Sequence, residues 1–293
     1  MIFRIKYKTE YHYEQPAYDS INEVRLQPLE CSHQRLLGFH LEVEPQAVIR
    51  QFHDRFGNSA HTVEVRQPHE RLVITAQSLV ERTEAPQGLA DLIPFKDYLR
   101  KDDQRTHQYG DFLSQTTYTP FSPRLRRCFW SAHPSMDEDV KTYVERIITW
   151  VRDQFGYDRG TTHVHSTVDD ILTSGGGVCQ DFAHLTLGIF RLAGVPSRYV
   201  SGYLAPRRAG TGGPPPELAS HAWIEVLLPG LGWAGYDPTH RCRTGRHYIR
   251  VAVGRDYADV SPVSGSYKTA GGKQKMSYEL NLTEVSAGEE LRL

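Results

Sequence analysis

The segment GGGVCQDFAHLTLGIFRLAGVP, residues 175–196, decides the fold because it combines a glycine-rich approach with a strong helical pattern. Phe182, Leu185, Ile189 and Leu192 recur at helical spacing and share one apolar face. The helix is predicted to begin at or near Cys179 and to end at the Gly-Val-Pro sequence 194–196. The glycines before Cys179 allow a sharp turn and a close approach to the backbone. The sequence therefore places a thiol at the start of a core helix.

The position of Cys179 suits a nucleophile. The N-terminus of a helix carries unpaired N–H groups and the positive end of the helix dipole, and both favour the thiolate form of a cysteine. The same N–H groups can bind an oxyanion as it develops on a carbonyl. A buried packing cysteine at a helix start is the alternative interpretation, so Cys179 alone does not decide the function.

His221 is the candidate base, because a thiolate nucleophile needs a partner for its proton. It opens the strand sequence HAWIEVLL, residues 221–228. Ala222, Ile224 and Val226 form the apolar face of this strand, so His221 and Trp223 point the other way. Trp223 would then exclude water beside the imidazole. The chain holds fourteen histidines, and an ordinary histidine at a strand edge is the alternative.

Asp237 is the candidate for orienting His221. It ends the next strand, GWAGYDPTH, which can return beside His221 after the turn at residues 229–230. Pro238 favours an extended conformation for Asp237. Glu225 lies on the same strand face as His221, but four residues at about 3.3 Å each place it too far away for a hydrogen bond. A thiol on a helix, a histidine on a strand and an aspartate on the next strand form the order of an acyl-transfer triad.

Composition narrows the class of protein. The 293 residues are 39% hydrophobic and 24% charged, which is typical of a soluble globular chain with one large or two ordinary domains. A formal net charge of −1 gives no reason to expect nucleic acid or a membrane as partner. The start lacks a signal-peptide pattern and no apolar run is long enough to span a bilayer, so a cytoplasmic location is expected. Four widely spaced cysteines favour free thiols over a disulfide framework.

The order of the predicted elements gives an α+β fold. Short alternating strands fill roughly the first 85 residues and predict an antiparallel, sandwich-like N-terminal domain, residues 1–95. Residues 96–134 are interpreted as a connector with one short helix, and its basic cluster at 124–127 as a solvated surface. A catalytic domain is assigned to residues 135–293. Its first helix is predicted to be capped by Ser135 with Glu138, and its second by Ser166 with Asp169.

Three motifs together resemble the transglutaminase-like superfamily: GGGVCQDFAHL around Cys179, HAWIEV around His221 and GWAGYDPTH around Asp237. The tail sequence VAVGRDYADVSPVSGSY and the N-terminal strands are similar to its bacterial branch of cysteine proteases. The resemblance implies a papain-like core with a thiol-bearing helix packed on an antiparallel sheet. It also implies that Cys179 is the nucleophile, His221 the base and then the acid, and Asp237 the orienting carboxylate.

The resemblance further implies that the Cys179 N–H is one oxyanion donor, and Tyr157 and Trp150 are candidates for a second. Trp223 and Tyr157 are the candidate substrate-binding residues. The expected partner is a peptide or protein substrate, with no cofactor and no metal. His163 and His165 are a weak alternative for a metal site, since no carboxylate or cysteine lies at a familiar spacing. The other three cysteines, Cys31, Cys128 and Cys242, are interpreted as structural.

Three functions remain open from the sequence. Hydrolysis by a cysteine peptidase or amidase is favoured, cross-linking of protein glutamine is the second, and a non-catalytic scaffold that keeps the fold is the third. The Gly- and Pro-rich loop 205–219 precedes His221 and is predicted to gate the cleft. The oligomeric state is left open.

Overall fold

The computed structural model of the chain describes residues 1–84, 92–99, 102–205 and 220–286. Most of the proposed gating loop, residues 206–219, lies outside this part of the chain. The N-terminal region contains five strands. They are β1 (Ile2–Val24), β2 (Gln34–Glu44), β3 (Val48–His53), β4 (Ser59–Val65) and β5 (His69–Arg82).

Four helices follow among the described residues. They are α1 (Phe95–Leu99), α2 (Asp102–Tyr109), α3 (Pro123–Ser131) and α4 (Val140–Gln154). The connector thus contains more helix than the single short one expected. Ser122 accepts a hydrogen bond from the Leu125 N–H, and Pro123 occupies the first turn of α3, so a cap and a first-turn proline start this helix. The basic cluster lies in α3, with Leu125 buried and the three arginines exposed, in keeping with a solvated surface.

The remaining elements include the thiol-bearing helix, the strands of a second sheet and two C-terminal strands. They are β6 (Gly156–Tyr157), α5 (Val168–Ser174), β7 (Gly176–Gly177), α6 (Cys179–Leu192), β8 (Ser197–Leu204), β9 (Ser220–Leu228), β10 (Gly232–Asp237), β11 (Cys242–Arg243), β12 (Tyr248–Gly254), α7 (Tyr257–Val260), β13 (Val263–Thr269) and β14 (Gln274–Glu284). Helix α6 begins at Cys179, as its periodicity predicted. The α+β fold class is confirmed.

Two antiparallel sheets organise these elements. The N-terminal sheet has the order β2-β5-β1-β4-β3, and both β13 and β14 pair with β1. The second sheet has the order β11-β10-β9-β8-β12. The C-terminal strands therefore complete the N-terminal sheet, although the sequence assigned residues 135–293 to one catalytic domain. Strand β1 is long enough to pair with β14 along its first half and β13 along its second.

Helix α6 is the centre of the second core. It packs on β8 and β9 and is covered by α3, α4 and α5. Its residues from Asp181 to Arg191 are buried, because apolar side chains of the sheet and of the helices surround it. The other face of the second sheet packs on the N-terminal sheet through Tyr203, Ile249 and Val251. This arrangement fixes the start of α6 against the ends of β9 and β10.

The N-caps of α4 and α5 differ from those predicted. Asp139 caps α4 by accepting the Thr142 N–H, while Glu138 pairs with Arg146 instead. Thr167 caps α5 together with Asp170, and Gly175 ends it in the left-handed conformation at φ 74°. Both predicted capping boxes were therefore wrong by a few residues, because several Ser, Thr and Asp side chains near each start can act as caps. No helix among the described residues is long and apolar enough to cross a membrane.

Candidate active site

The glycines before Cys179 are required by close packing. Strand β7, formed by Gly176 and Gly177, runs parallel to β6 and is buried. A Cβ atom on Gly177 would lie 2.6 Å from Oδ2 of Asp181, and one on Gly176 would lie 2.8 Å from the Gly156 carbonyl oxygen. Such distances are shorter than any ordinary carbon–oxygen contact. The positions of Gly176 and Gly177, just before Val178 and Cys179, therefore have no room for a side chain.

The Asp181 side chain connects the segment before α6 to the first turn of that helix. Its Oδ2 atom accepts the Val178 N–H at 2.8 Å and the Thr162 hydroxyl at 2.6 Å. A carboxylate in the first turn is also favoured by the helix dipole. The Phe182 N–H bonds to the Val178 carbonyl, so the N–H groups of Cys179 and Gln180 have no acceptor within the helix. These two donors are the ones available to an oxyanion beside the thiol.

The structure brings Cys179, His221 and Asp237 together. Nε2 of His221 donates a hydrogen bond to Asp237 Oδ2 at 2.7 Å, and the Cys179 thiol is close enough to His221 to raise the pKa of the imidazole. Since Nε2 is used by Asp237, Nδ1 is the ring nitrogen left for the thiol. Asp237 is fully buried and the His221 side chain is 9% exposed. Thiol, imidazole and carboxylate thus lie together at the start of α6.

Two further side chains hold Asp237, and neither was predicted from the sequence. Nδ1 of His240 and the hydroxyl of Tyr248 donate to Oδ2 at 2.7 and 2.8 Å. The N–H groups of Thr239 and His240 donate to Oδ1 at 2.8 and 3.2 Å. Asp237 therefore accepts five hydrogen bonds. His240 lies in the turn three residues after Asp237, so a search for donors next to the aspartate would have found it.

The electrostatics of the site favour a charged imidazole at His221. Burial disfavours the charged imidazolium, but the Asp237 carboxylate and the Cys179 thiol outweigh it and raise the pKa of His221 to about 10. Burial also opposes ionisation of Asp237, yet its bonds to His221 and His240 hold the pKa of this carboxyl far below its usual range. Burial and the neighbouring Asp237 charge raise the pKa of Tyr248, which keeps its hydroxyl a donor.

The two predicted substrate-binding residues have different surroundings. Trp223 is only 1% exposed and lies against His221, with ring centroids 6.1 Å apart. It shields the imidazole, as predicted, but its surface is not open to a substrate. Tyr157 is 39% exposed, stacks on Phe182 and pairs across the strand with Gly177. Its position near the thiol keeps it a candidate for substrate contact.

Trp150, the other candidate oxyanion donor, packs partly buried against the core beside Phe155. Glu225, which strand geometry excluded as the partner of His221, accepts hydrogen bonds from Arg198 and Arg250. It is a buried ion-pair centre on the opposite side of Trp223 from the thiol.

One group of described residues has the composition of a metal site: His221, Asp237 and His240, with potential ligand atoms within 4.8 Å of one another. The two histidine nitrogens already lie 2.7 Å from Asp237 Oδ2 as direct hydrogen bonds, so a cation would have to displace both protons. We therefore interpret the group as a hydrogen-bond network. His163 and His165 do not belong to any such group among the described residues.

The remaining cysteines differ in their surroundings. Burial raises the pKa of Cys128 to about 11, which fits a structural role. Burial also opposes ionisation of Cys31, but hydrogen bonds with His33 and the charge of Arg250 prevail and lower the pKa of Cys31 to about 6. The structural interpretation of Cys31 from sequence thus overlooked His33, two residues later. Sγ of Cys242 lies 3.4 Å from the Tyr248 hydroxyl, at the edge of the Asp237 network.

Comparisons with known proteins agree with this architecture. The family model described as "Bacterial transglutaminase-like N-terminal region" matches residues 3–81, and "Transglutaminase-like superfamily" matches residues 132–238. An uncharacterized protein of Mycobacterium leprae is 36% identical over 92% of this chain and 94% of its own length. A protein-glutamine gamma-glutamyltransferase of Pseudomonas aeruginosa is 37% identical over 25% of this chain and 12% of its own.

Among solved structures, the chain is similar to a "Putative Cysteine Protease" from Cytophaga hutchinsonii, with a TM-score of 0.77 and 21% identity over 99% of this chain and 92% of the other. This likeness concerns the fold. The family matches, together with a thiol, an imidazole and a carboxylate that lie together at the start of α6, indicate a cysteine-dependent enzyme.

Proposed function

The chain belongs to the transglutaminase-like superfamily, and we propose that it is a cysteine peptidase or amidase that uses Cys179, His221 and Asp237. The observation that carries this proposal is the position of the His221 ring between the Cys179 thiol and the Asp237 carboxylate. A thiolate beside an imidazolium that a buried carboxylate holds in place is the arrangement that cysteine nucleophiles need.

Acylation follows from these positions. The Cys179 thiolate attacks the carbonyl carbon of an amide, and negative charge moves to the carbonyl oxygen. The N–H groups of Cys179 and Gln180 stabilise this oxyanion. The imidazolium of His221 then gives its proton to the amide nitrogen, the carbon–nitrogen bond breaks and the amine leaves. A thioester on Cys179 and a neutral His221 remain.

Deacylation reverses the proton flow. His221 takes a proton from the second nucleophile, which attacks the thioester, and the carbon–sulfur bond breaks to restore the thiolate and the imidazolium. With water as that nucleophile the product is a carboxylate. Asp237 stabilises the imidazolium in both half-reactions. Hydrolysis is the proposed outcome because water needs no binding site of its own, whereas transamidation needs a bound amine.

Transglutaminase activity is the second candidate, supported by the similarity of a quarter of the chain to the Pseudomonas aeruginosa protein-glutamine gamma-glutamyltransferase. It uses the same thioester, with ammonia as the first leaving group and a primary amine as the acceptor. The two reactions therefore share every residue of the site and differ only in the deacylating nucleophile.

One assay separates the three functions. The protein is incubated with a library of peptides that includes glutamine-containing members, with and without a fluorescent primary amine, and products are read by mass spectrometry. Hydrolysis gives cleaved or deamidated peptides, and cross-linking gives amine adducts at the expense of hydrolysis. We expect Cys179→Ala to lose all product, and Cys128→Ala, a partly buried thiol away from the site, to keep it. Equal product from Cys179→Ala would refute the proposed nucleophile.

We also propose a cytoplasmic location and a peptide or protein substrate. A folded wild-type protein with an unreactive Cys179 would favour a non-catalytic scaffold, and electrophilic peptide probes followed by mapping of the labelled cysteine give that answer directly.

A further inference from the structure

A cavity of about 130 Å³ lies between the N-terminal sheet and the second sheet, on the face of the second sheet opposite α6. Arg82 at the end of β5 lines it from one side, and Trp223, Glu225 and Arg250 line it from the other. The cavity is separate from the thiol, because Trp223 stands between it and His221.

Three N–H groups on the lining residues have no hydrogen-bond partner within the part of the chain that the structure describes. They are Nε of Arg82, Nε of Arg250 and Nε1 of Trp223. Arg82 is 2% exposed and Trp223 1%, so bulk water does not satisfy these donors. Buried donors in native proteins are almost always paired. Three unpaired donors around one cavity indicate an acceptor inside it.

The charges around the cavity also favour an anion. The lining carries three guanidinium groups, from Arg82, Arg243 and Arg250, and a single carboxylate, Glu225. Both oxygens of Glu225 are already used, one by Arg250 and the other by Arg198. The buried Arg82 donates only to carbonyl oxygens, those of His33 and Gly245, at 2.9 and 3.1 Å.

Cys31 supplies part of the compensation from just outside the lining. It precedes the lining residues Ser32 and His33 in the chain, and the lowered pKa of its thiol allows one negative charge there near neutral pH. Arg243 is exposed to solvent, but the guanidinium groups of Arg82, Arg250 and Arg198, which shares Glu225, still exceed the negative charges of Glu225 and a Cys31 thiolate by one. An additional anion remains favourable, because an uncompensated buried charge is costly.

We propose that this cavity is a binding site for a compact oxyanion of the phosphate or sulfate class. Its volume equals about four water molecules at roughly 30 Å³ each, which is enough for one tetrahedral oxyanion. Guanidinium groups bind such anions through paired, charge-assisted hydrogen bonds, and the indole N–H of Trp223 supplies a further donor. The bound anion joins Arg82 of the N-terminal sheet to Arg250 of the second sheet.

Thermal unfolding of the full chain tests this proposal. The melting temperature is followed as phosphate or sulfate is titrated at constant ionic strength, with chloride as the comparison anion. A site that binds only the folded protein raises the melting temperature saturably, by about 5 °C when the anion reaches 100 times its Kd. Phosphate or sulfate, but not chloride, is expected to give this rise, and the two titrations rank the two oxyanions.

The variant Arg82→Met keeps the apolar stem and removes the charge, so the rise should be lost. The matched control is Arg35→Met, an exposed arginine on the neighbouring strand that pairs with Glu81 outside the cavity, and it should retain the rise. An equal rise in Arg82→Met would overturn the proposal.

A crystallographic measurement keeps the test valid if Arg82→Met does not fold. Wild-type crystals soaked in selenate should show anomalous scattering inside the cavity, within hydrogen-bond distance of Arg82 or Trp223. A cavity filled only by water, or by chloride in place of selenate, would overturn the proposal. Neither result depends on the proposed catalytic function.

Discussion

Replacing Asp237 by asparagine is the most direct test of the electrostatics of the site. The change keeps the shape of the side chain but removes its charge. Oδ2 of Asp237 accepts three hydrogen bonds and Oδ1 accepts two backbone N–H groups. An amide NH₂ at either position would face donors. Asp237→Asn therefore removes the negative charge beside His221 and leaves donors without acceptors.

The size of the effect follows from the pKa of His221. Its rise from 6.5 to about 10 corresponds to about 5 kcal/mol of preference for the imidazolium, supplied by Asp237 and Cys179 together. Without Asp237, burial of His221 favours the neutral ring, and the thiolate loses its charged partner. A thiol with an ordinary pKa of about 8.5 is only about 0.3% ionised at pH 6.

The rate of Cys179 alkylation by iodoacetamide measures this directly. We expect the Asp237→Asn rate to fall by about 300-fold at pH 6 and to come within about twofold of wild type at pH 9.5. Cys31 also has a lowered pKa, so the rate is read from the Cys179 peptide by mass spectrometry. Asp153→Asn, a surface aspartate that pairs with Arg241, is the control and should leave the profile unchanged. Superimposable profiles for wild type and folded Asp237→Asn would refute the reasoning.

Two further predictions concern stability. Gly177→Ala should lower the free energy of unfolding by about 1–3 kcal/mol, because its Cβ would lie 2.6 Å from Asp181 Oδ2. The control Gly110→Ala should be neutral, since nothing lies within 4 Å of its Cβ. Equal urea midpoints for the two variants would contradict this prediction. In a Cys179→Ala background, Asp237 still raises the pKa of His221, so His221 stabilises the fold fully below pH 6.5 and progressively less towards the raised pKa. We therefore expect the His221→Gln change in this background to cost less unfolding free energy at pH 10 than at pH 6, by at most about 5 kcal/mol. A cost independent of pH would argue against the raised pKa of His221.

Local pattern was enough to predict the parts of the site that lie on regular elements. The periodicity after Cys179 fixed the start of α6, and strand alternation fixed which side of β9 carries His221 and Trp223. The rule that a strand advances about 3.3 Å per residue excluded Glu225 as the hydrogen-bond partner of His221. In the structure, Glu225 pairs with two arginines instead.

Long-range pairing could not be predicted in the same way. Tyr248 reaches Asp237 because β12 joins the second sheet beside β8, and no local signal specifies that neighbour. Strand β14 likewise pairs with β1, some 270 residues earlier in the chain, and the sequence alone offers no means of recognising that partner. The basic residues around the oxyanion cavity come from β5 in the first third of the chain and from β11 and β12 in the last third, so sequence order does not bring these two groups together.

The glycines before Cys179 illustrate how a correct prediction can rest on an incomplete cause. The sequence suggested that they provide a turn and room for a substrate carbonyl. The structure adds a stricter requirement: Gly176 and Gly177 are buried, and a Cβ on Gly177 would collide with the carboxylate that caps α6. Asp181 in turn holds the Val178 N–H and the Thr162 hydroxyl. The position of the thiol is thus set by a carboxylate two residues later, and the missing side chains make room for that carboxylate as well as for a substrate.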